Sequence, residues 1–271
     1  MIANTKMYNF TFESYGVKVG VECPSEELLA KSEAKIRSSL LGRLTVIERD
    51  NVDFLFTIKY REKKLHLDLN GKYISESSDE YIFMNYFETM IRLTIAEHAV
   101  DRVFMHAGAV VVNGKALVFP ADSFCGKTTL VAEFVKRGAI YYSDEYAVFD
   151  EEGLLHPFPR KLSIRYDQEN FVRTDVSAES LGGVIGLGSI SPSLVLLTKY
   201  CRYSRWSPEI LSEGNAVMQM IPQAISLRYK SDFTVKVLKK IANRAIIVQS
   251  MRGGSKSSVD KINDFVDKFV L

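Results

Sequence analysis

Apolar positions along this chain follow two periods, and the way they alternate predicts its elements. Near the start, Tyr8 to Phe12 and Val17 to Val21 alternate with polar residues as half-buried strands do. Phe54-Leu55-Phe56-Thr57-Ile58-Lys59-Tyr60 and Leu65-His66-Leu67-Asp68-Leu69 repeat the pattern, and Asn70-Gly71 predicts a tight turn into a third strand. Pro24-Ser25-Glu26-Glu27 opens a helix running to about Leu40. Ile82, Tyr86, Met90, Leu93 and Ala96 stand at helical spacing and predict a long helix from Ser78 to about Val103. This helix is expected to pack the first unit against the rest. The reading is a small α+β domain over residues 1–100, a place for substrate or partner recognition, with a boundary near residue 100.

From there the pattern is α/β. Ala109-Val110-Val111-Val112 and Ala116-Leu117-Val118-Phe119 flank Asn113-Gly114, a hairpin signal. Thr128 to Arg137 carries apolar residues at helical spacing, ends in basic residues and stops at Gly138. Two β-prone runs follow, Ala139 to Ser143 and Tyr146 to Phe149, separated by Asp144-Glu145. Further on, Val195-Leu196-Leu197 and Ala245 to Val248 read as strands, and Gly214 to Ile225, Thr234 to Ala242 and Ser258 to Phe269 as helices. Residues 101–271 form the second expected domain.

Composition narrows the class. Of 271 residues, 46% are hydrophobic and 25% charged, enough apolar material for a packed core. No apolar run reaches membrane-spanning length and the first residues lack the apolar stretch of a signal peptide, so a cytoplasmic protein is expected, without a membrane partner. Cys23, Cys125 and Cys201 are odd in number and far apart, which argues against a disulfide framework or a zinc site. A net charge of +2 gives no drive toward nucleic acid. Tyr60-Arg61-Glu62-Lys63-Lys64 reads as a solvated hairpin rim. Tyr200, Tyr203 and Trp206 with Arg202 and Arg205 read as a loop packing on the core, and Arg252-Gly253-Gly254 as a turn.

The candidate chemistry lies between the hairpin and the helix. Phe119-Pro120-Ala121-Asp122-Ser123-Phe124-Cys125-Gly126-Lys127-Thr128-Thr129 runs from a strand end through a tight loop into a helix start with Gly-Lys-Thr. Such a loop holds phosphate because successive backbone N–H groups wrap the anion, the lysine reaches its oxygens and the hydroxyl can ligate Mg²⁺. Ala121 stands where the motif has its first glycine, and Phe124 where many kinases have another, so the loop departs from the consensus. Cys125 beside Lys127 at a helix start is a position for oxidation or for simple packing. Asp144 and Glu145, at a strand end after this loop, are placed to hold Mg²⁺ or to take a proton from a hydroxyl.

Taken together, Met105-His106-Ala107-Gly108-Ala109-Val110-Val111, Gly126-Lys127-Thr128-Thr129, Val135-Lys136-Arg137-Gly138 and Ser143-Asp144-Glu145-Tyr146-Ala147-Val148 resemble the C-terminal catalytic domain of HPr kinase/phosphorylase and its bacterial relatives. The Pro-Arg-rich stretch Leu155 to Arg165 is also similar to divergent members. The resemblance covers about sixty residues and implies a P-loop, PEP-carboxykinase-like fold. It implies ATP, or another nucleotide donor, with Mg²⁺, and a seryl hydroxyl on a protein or peptide as acceptor. By that resemblance Asp144 is the base and acid, with Glu145 as the second acid and His106 near the transferred phosphoryl group. Ser123, Phe124, Cys125, Gly126, Lys127, Thr128 and Thr129 bind nucleotide, and Thr128 with Asp144 holds the metal. Relatives often form homo-oligomers. Gly182 to Gly188 keeps the glycines of a family signature but lacks its acid and arginine, which argues against phosphorolysis and against HPr itself as the acceptor. The alternatives are a nucleotide-binding regulator without turnover, a small-molecule kinase, and, less well matched, a nucleotide hydrolase.

Overall fold

The computed structural model describes residues 6–48, 51–122, 125–165 and 173–270. The chain divides into two compact units, Met1–Asp101 and Arg102–Leu271.

The first unit contains β1 (Tyr8–Ser14), β2 (Val17–Cys23), α1 (Glu26–Ser39), β3 (Thr45–Val46), β4 (Phe54–Arg61), β5 (Lys64–Leu69), β6 (Lys72–Ser77) and α2 (Glu80–His98). Its mixed six-stranded sheet runs β3-β1-β2-β4-β5-β6, with β2 and β4 parallel and the other pairs antiparallel. Ser25 caps α1 by accepting from Leu28 N, and Asp79 caps α2 by accepting from Ile82 N. Phe12, Val19, Val21, Phe56, Ile58 and Leu67 pack with Leu28 and Ile36 of α1 and with Phe83, Phe87, Ile91 and Ile95 of α2.

Helix α2 differs from its expectation twice. It ends at His98 rather than near Val103, because Val103 already belongs to a strand of the second unit. Its buried stripe is Phe83, Phe87, Ile91 and Ile95, whereas Ile82 and Tyr86 are exposed. The helix is apolar around most of its circumference, so more than one stripe satisfies the 3.6-residue period. The buried one faces the sheet of its own unit.

The second unit follows as β7 (Arg102–Val112), β8 (Lys115–Pro120), α3 (Lys127–Lys136), β9 (Ile140–Ser143), β10 (Tyr146–Asp150), β11 (Leu155–His156), β12 (Leu162–Arg165) and β13 (Arg173–Val176). Beyond these lie β14 (Val184–Ile185), β15 (Pro192–Tyr200), β16 (Glu209–Ile210), α4 (Glu213–Met220), α5 (Ser231–Arg244), β17 (Ile246–Arg252) and α6 (Ser255–Phe269). A nine-stranded mixed sheet runs β11-β10-β7-β8-β15-β17-β16, with β9 also on β7 and β14 on β9; β12 and β13 form a separate ribbon. One face packs on α3 and α6 through Leu130, Val131, Phe134, Val259, Ile262 and Phe265. The other packs on α4 and α5 through Ala216, Met220, Val237, Leu238 and Ile241. The unit is a three-layer α/β structure.

Two features of this sheet position the site. Asn113 and Gly114 both take left-handed φ values, 50° and 76°, and close β7 and β8 into a tight hairpin. Strands β8, β15 and β17 are parallel, so Pro120, Tyr200 and Arg252 end on the same edge, where α/β sheets commonly bind ligands.

Candidate functional site

The middle of β7 is a junction. On one edge β8 leaves at Ala121, whose N–H donates to the His106 carbonyl at 3.3 Å, and an isolated bridge to Ala224 takes over at Met105. On the other edge β9 pairs through Ala109↔Ser143 and β10 through Tyr146↔His106. Asp144 and Glu145 fall between these pairs, across from Gly108 and Ala107, and Ala107 N–H donates to the Glu145 carbonyl at 3.2 Å. The Ser143 hydroxyl accepts from Tyr146 N–H at 3.1 Å and closes the turn locally. Strand β7 thus gathers the loop after β8, the acidic turn and His106.

Helix α3 enters from the loop. Gly126 is its N-cap, with φ of 76°, and supplies no side-chain cap. The first N–H groups of the helix are therefore left without a side-chain acceptor at their own cap. A missing cap costs about 1 kcal/mol, whereas each buried side chain among Leu130, Val131, Phe134 and Val135 is worth roughly 1.5–3 kcal/mol. The core, not a side-chain cap, holds α3 in place.

The charged groups here are unusually buried. Lys127 is 8% exposed, and its ammonium donates a long bond, 3.4 Å, to the Ala121 carbonyl. Burial pulls the Lys127 pKa down, against the opposing pull of Asp144 and Glu145. Asp144 is 7% exposed, and its Oδ1 has no hydrogen-bond partner among the described residues. Burial pushes its carboxyl up, partly offset by hydrogen bonding to Thr128 and by the Lys127 charge. Burial and the neighbouring Lys127 charge bring His106 down to about 4, so its imidazole is neutral at pH 7.

Glu145 is less buried and ion-pairs with Arg160. The Arg160 carbonyl in turn accepts from the Tyr141 hydroxyl at 2.6 Å, which ties the segment after β11 to the acidic turn. Asp122, on the loop, accepts from Gln223 Nε2 at 2.9 Å.

Of the residues singled out from the sequence, the structure brings together His106, Lys127, Thr128, Asp144 and Glu145, with Cys125 and Gly126 at the helix start. Ser123 and Phe124 lie outside the described residues. Thr129 is on the exposed side of α3's first turn. Asp144 belongs to the interior. Tyr200 and Tyr203 remain exposed while Trp206 packs edge-on against Phe265, so the loop packs on the core through its tryptophan.

Arg252 does not lie in a turn, as the local Arg-Gly-Gly predicts, but ends β17. Its side chain is 2% exposed and lies against the loop, donating from Nη2 to the Gly126 and Cys125 carbonyls at 2.7 and 3.2 Å. Nothing in the local Arg-Gly-Gly signals this contact. It follows only from the parallel order β8-β15-β17.

Among the described residues there is no cluster of three or more His, Cys, Asp or Glu side chains able to hold a metal by itself. Mg²⁺ bound with a nucleotide uses one or two protein oxygens, the remainder coming from phosphate and water. The Thr128 hydroxyl and the unpartnered Asp144 Oδ1 fit that requirement. No helix of the described residues is long and apolar enough to cross a membrane.

No protein-family model matches this chain, and no curated protein matches it.

Proposed function

We propose that this protein is a nucleotide-dependent kinase that transfers a phosphoryl group to a hydroxyl, most simply the serine of a protein or peptide. The observation that carries the reading is Asp144, buried beside the Lys127 charge and hydrogen-bonded to Thr128, with one carboxylate oxygen that has no hydrogen-bond partner among the described residues. Burying a carboxyl is costly, and Asp144 is held there by the Lys127 charge and the Thr128 hydroxyl, the groups a phosphoryl-transfer site would use. The resemblance of the flanking segments to HPr kinase/phosphorylase supports the same reading.

In this reading the N-terminus of α3, which has no side-chain cap, and Lys127 hold the β- and γ-phosphates. Thr128 and Asp144 would hold Mg²⁺, which when bound neutralises the charge shared by donor and leaving oxygens. Asp144 would take the proton of the acceptor hydroxyl as the new O–P bond forms and the bond from the γ-phosphorus to the departing nucleoside diphosphate breaks. Neutral His106 lies beside the same pair without adding a charge that Lys127 would oppose. Arg160, pinned to Glu145, gives the acceptor side a cation.

The test compares wild type, Lys127→Ala and Asp144→Asn by calorimetric titration with ATP and Mg²⁺, followed by transfer assays on serine peptides. Lys127→Ala is expected to weaken nucleotide binding at least about tenfold. Asp144→Asn should keep binding while slowing transfer on the order of 10²–10⁴-fold, the usual size of a general-base contribution. A wild type that binds no nucleotide overturns the reading. Rapid phosphate release without any acceptor would reassign it as a hydrolase.

A further inference from the structure

Arg252 is a buried cation that no carboxylate neutralises among the described residues. Its Nη2 donates to the carbonyls of Gly126 and Cys125, its Nη1 donates to the neighbouring Gly253 carbonyl at 3.3 Å, and its buried Nε has no partner among the described residues. The ring of Tyr200 lies 5.9 Å from the guanidinium carbon. Placing an unpaired guanidinium in the interior is costly, and in this fold the cost is incurred directly against the loop that leads into α3.

The geometry of the peptide unit gives the contact a direction. All described peptide bonds are trans, and in a trans peptide the C=O of one residue points opposite to the N–H of the next. Anchoring the Cys125 and Gly126 carbonyls therefore turns the Gly126 and Lys127 N–H groups away from Arg252. A guanidinium on a carbonyl also polarises that peptide and strengthens its N–H as a donor. Gly126 is the residue that permits the approach: a Cβ there would lie 2.8 Å from Nη2, and its φ of +76° is unfavourable for a side chain.

We infer that Arg252 is a positioning residue of the anion site, bracing the loop from behind so that the Gly126 and Lys127 amides face the terminal phosphates of a nucleoside triphosphate. The inference rests on the kinase reading above and deepens it.

The experiment titrates inorganic triphosphate and ATP with Mg²⁺ into the full chain as wild type, Lys127→Ala, Arg252→Lys and Arg252→Met. Amide shifts of Gly126 and Lys127 are followed by NMR in the wild type and in Arg252→Lys. Arg252→Met is expected to weaken triphosphate binding tenfold or more, and Arg252→Lys to recover part of that loss. In Arg252→Lys the triphosphate-induced shifts of these two amides should shrink to less than half of their wild-type size, a readout that a merely structural role would leave in place. Should Arg252→Met fail to fold, the Arg252→Lys amide shifts decide alone. Wild-type affinity in a folded Arg252→Met, or wild-type shifts in Arg252→Lys, overturns the inference while a weakened Lys127→Ala leaves the kinase reading standing. Absence of binding in the wild type removes both.

Discussion

Gly108 and Lys127 are held so close that only a glycine fits between β7 and α3. A Cβ built on Gly108 would stand 3.2 Å from Lys127 Cγ and 2.5 Å from Val131 Cγ2. The strand faces its missing side chain toward the first turn of α3, and the stem of Lys127 lies across that gap. This approach brings the ammonium down beside the acidic turn, since Asp144 sits opposite Gly108 in the sheet.

Gly108→Ala should therefore push α3 outward. The position has no left-handed φ, so alanine meets no backbone penalty and the cost is steric alone. Overpacking of this kind costs about 1–3 kcal/mol. Urea unfolding should show that loss, and the folded variant should bind ATP more weakly because Lys127 moves. An unchanged unfolding midpoint would mean that the strand–helix spacing is looser than described.

His106 and Asp144 should give stability opposite pH dependences. The folded pKa of His106, about 4, lies below its ordinary 6.5, so between those values the unfolded chain binds more protons. The stability it contributes is present above pH 6.5 and is lost as pH falls through 4. Asp144 is raised above its ordinary 3.8, so there the folded chain binds more protons, and stability falls as pH rises from that value toward the folded pKa. The two effects overlap and partly cancel in the wild type. Single variants separate them. As pH rises from about 4 to 6.5, the wild type should gain on His106→Gln, whereas Asp144→Asn should gain on the wild type. Unfolding curves that stay parallel across this range would refute the account.

Much of this architecture is legible in local sequence, because its signals are local. Asn70-Gly71 and Asn113-Gly114 demand left-handed backbone and so announce their hairpins, and Ser25 announces the start of α1. The stripe of α2 is not legible because Ile82, Tyr86, Phe83 and Phe87 all satisfy helical spacing, and only the sheet selects the last two. The site divides in the same way. Gly126-Lys127-Thr128 and Asp144-Glu145 are readable as types of residue at a spacing. The burial of Asp144 and the long reach of Arg252 to the loop, 126 residues away in sequence, depend on strand order.

Tyr141→Phe tests the tie between the acidic turn and the segment that carries Arg160. Tyr141 is 1% exposed, and its hydroxyl donates to the Arg160 carbonyl at 2.6 Å. Removing the hydroxyl leaves the ring packing intact and that carbonyl without this donor, which costs about 1–2 kcal/mol. Because Arg160 also pairs with Glu145, transfer activity should fall by more than nucleotide affinity does. Equal losses in both would place the effect on the fold as a whole.

The three cysteines should differ in reactivity in a defined order. Cys201 is exposed, and the Ser204 side chain, by hydrogen bonding, holds its thiol below the ordinary range. Cys23 is fully buried in the first unit, and burial pushes its thiol up to about 11. Cys125 is half-buried at the start of α3, where its carbonyl is held by Arg252. Thiolate is the reacting form, so iodoacetamide at neutral pH should modify Cys201 first, Cys125 next and Cys23 last. Cys23 should react only as fast as its unit opens, and denaturant should bring all three close to one rate. If the loop holds phosphate, ATP with Mg²⁺ should slow Cys125 and leave Cys201 unchanged. Peptide mapping by mass spectrometry reads each site separately. Equal native rates for Cys23 and Cys201 would contradict the burial described, and a Cys125 rate indifferent to nucleotide would count against a phosphate site at the start of α3.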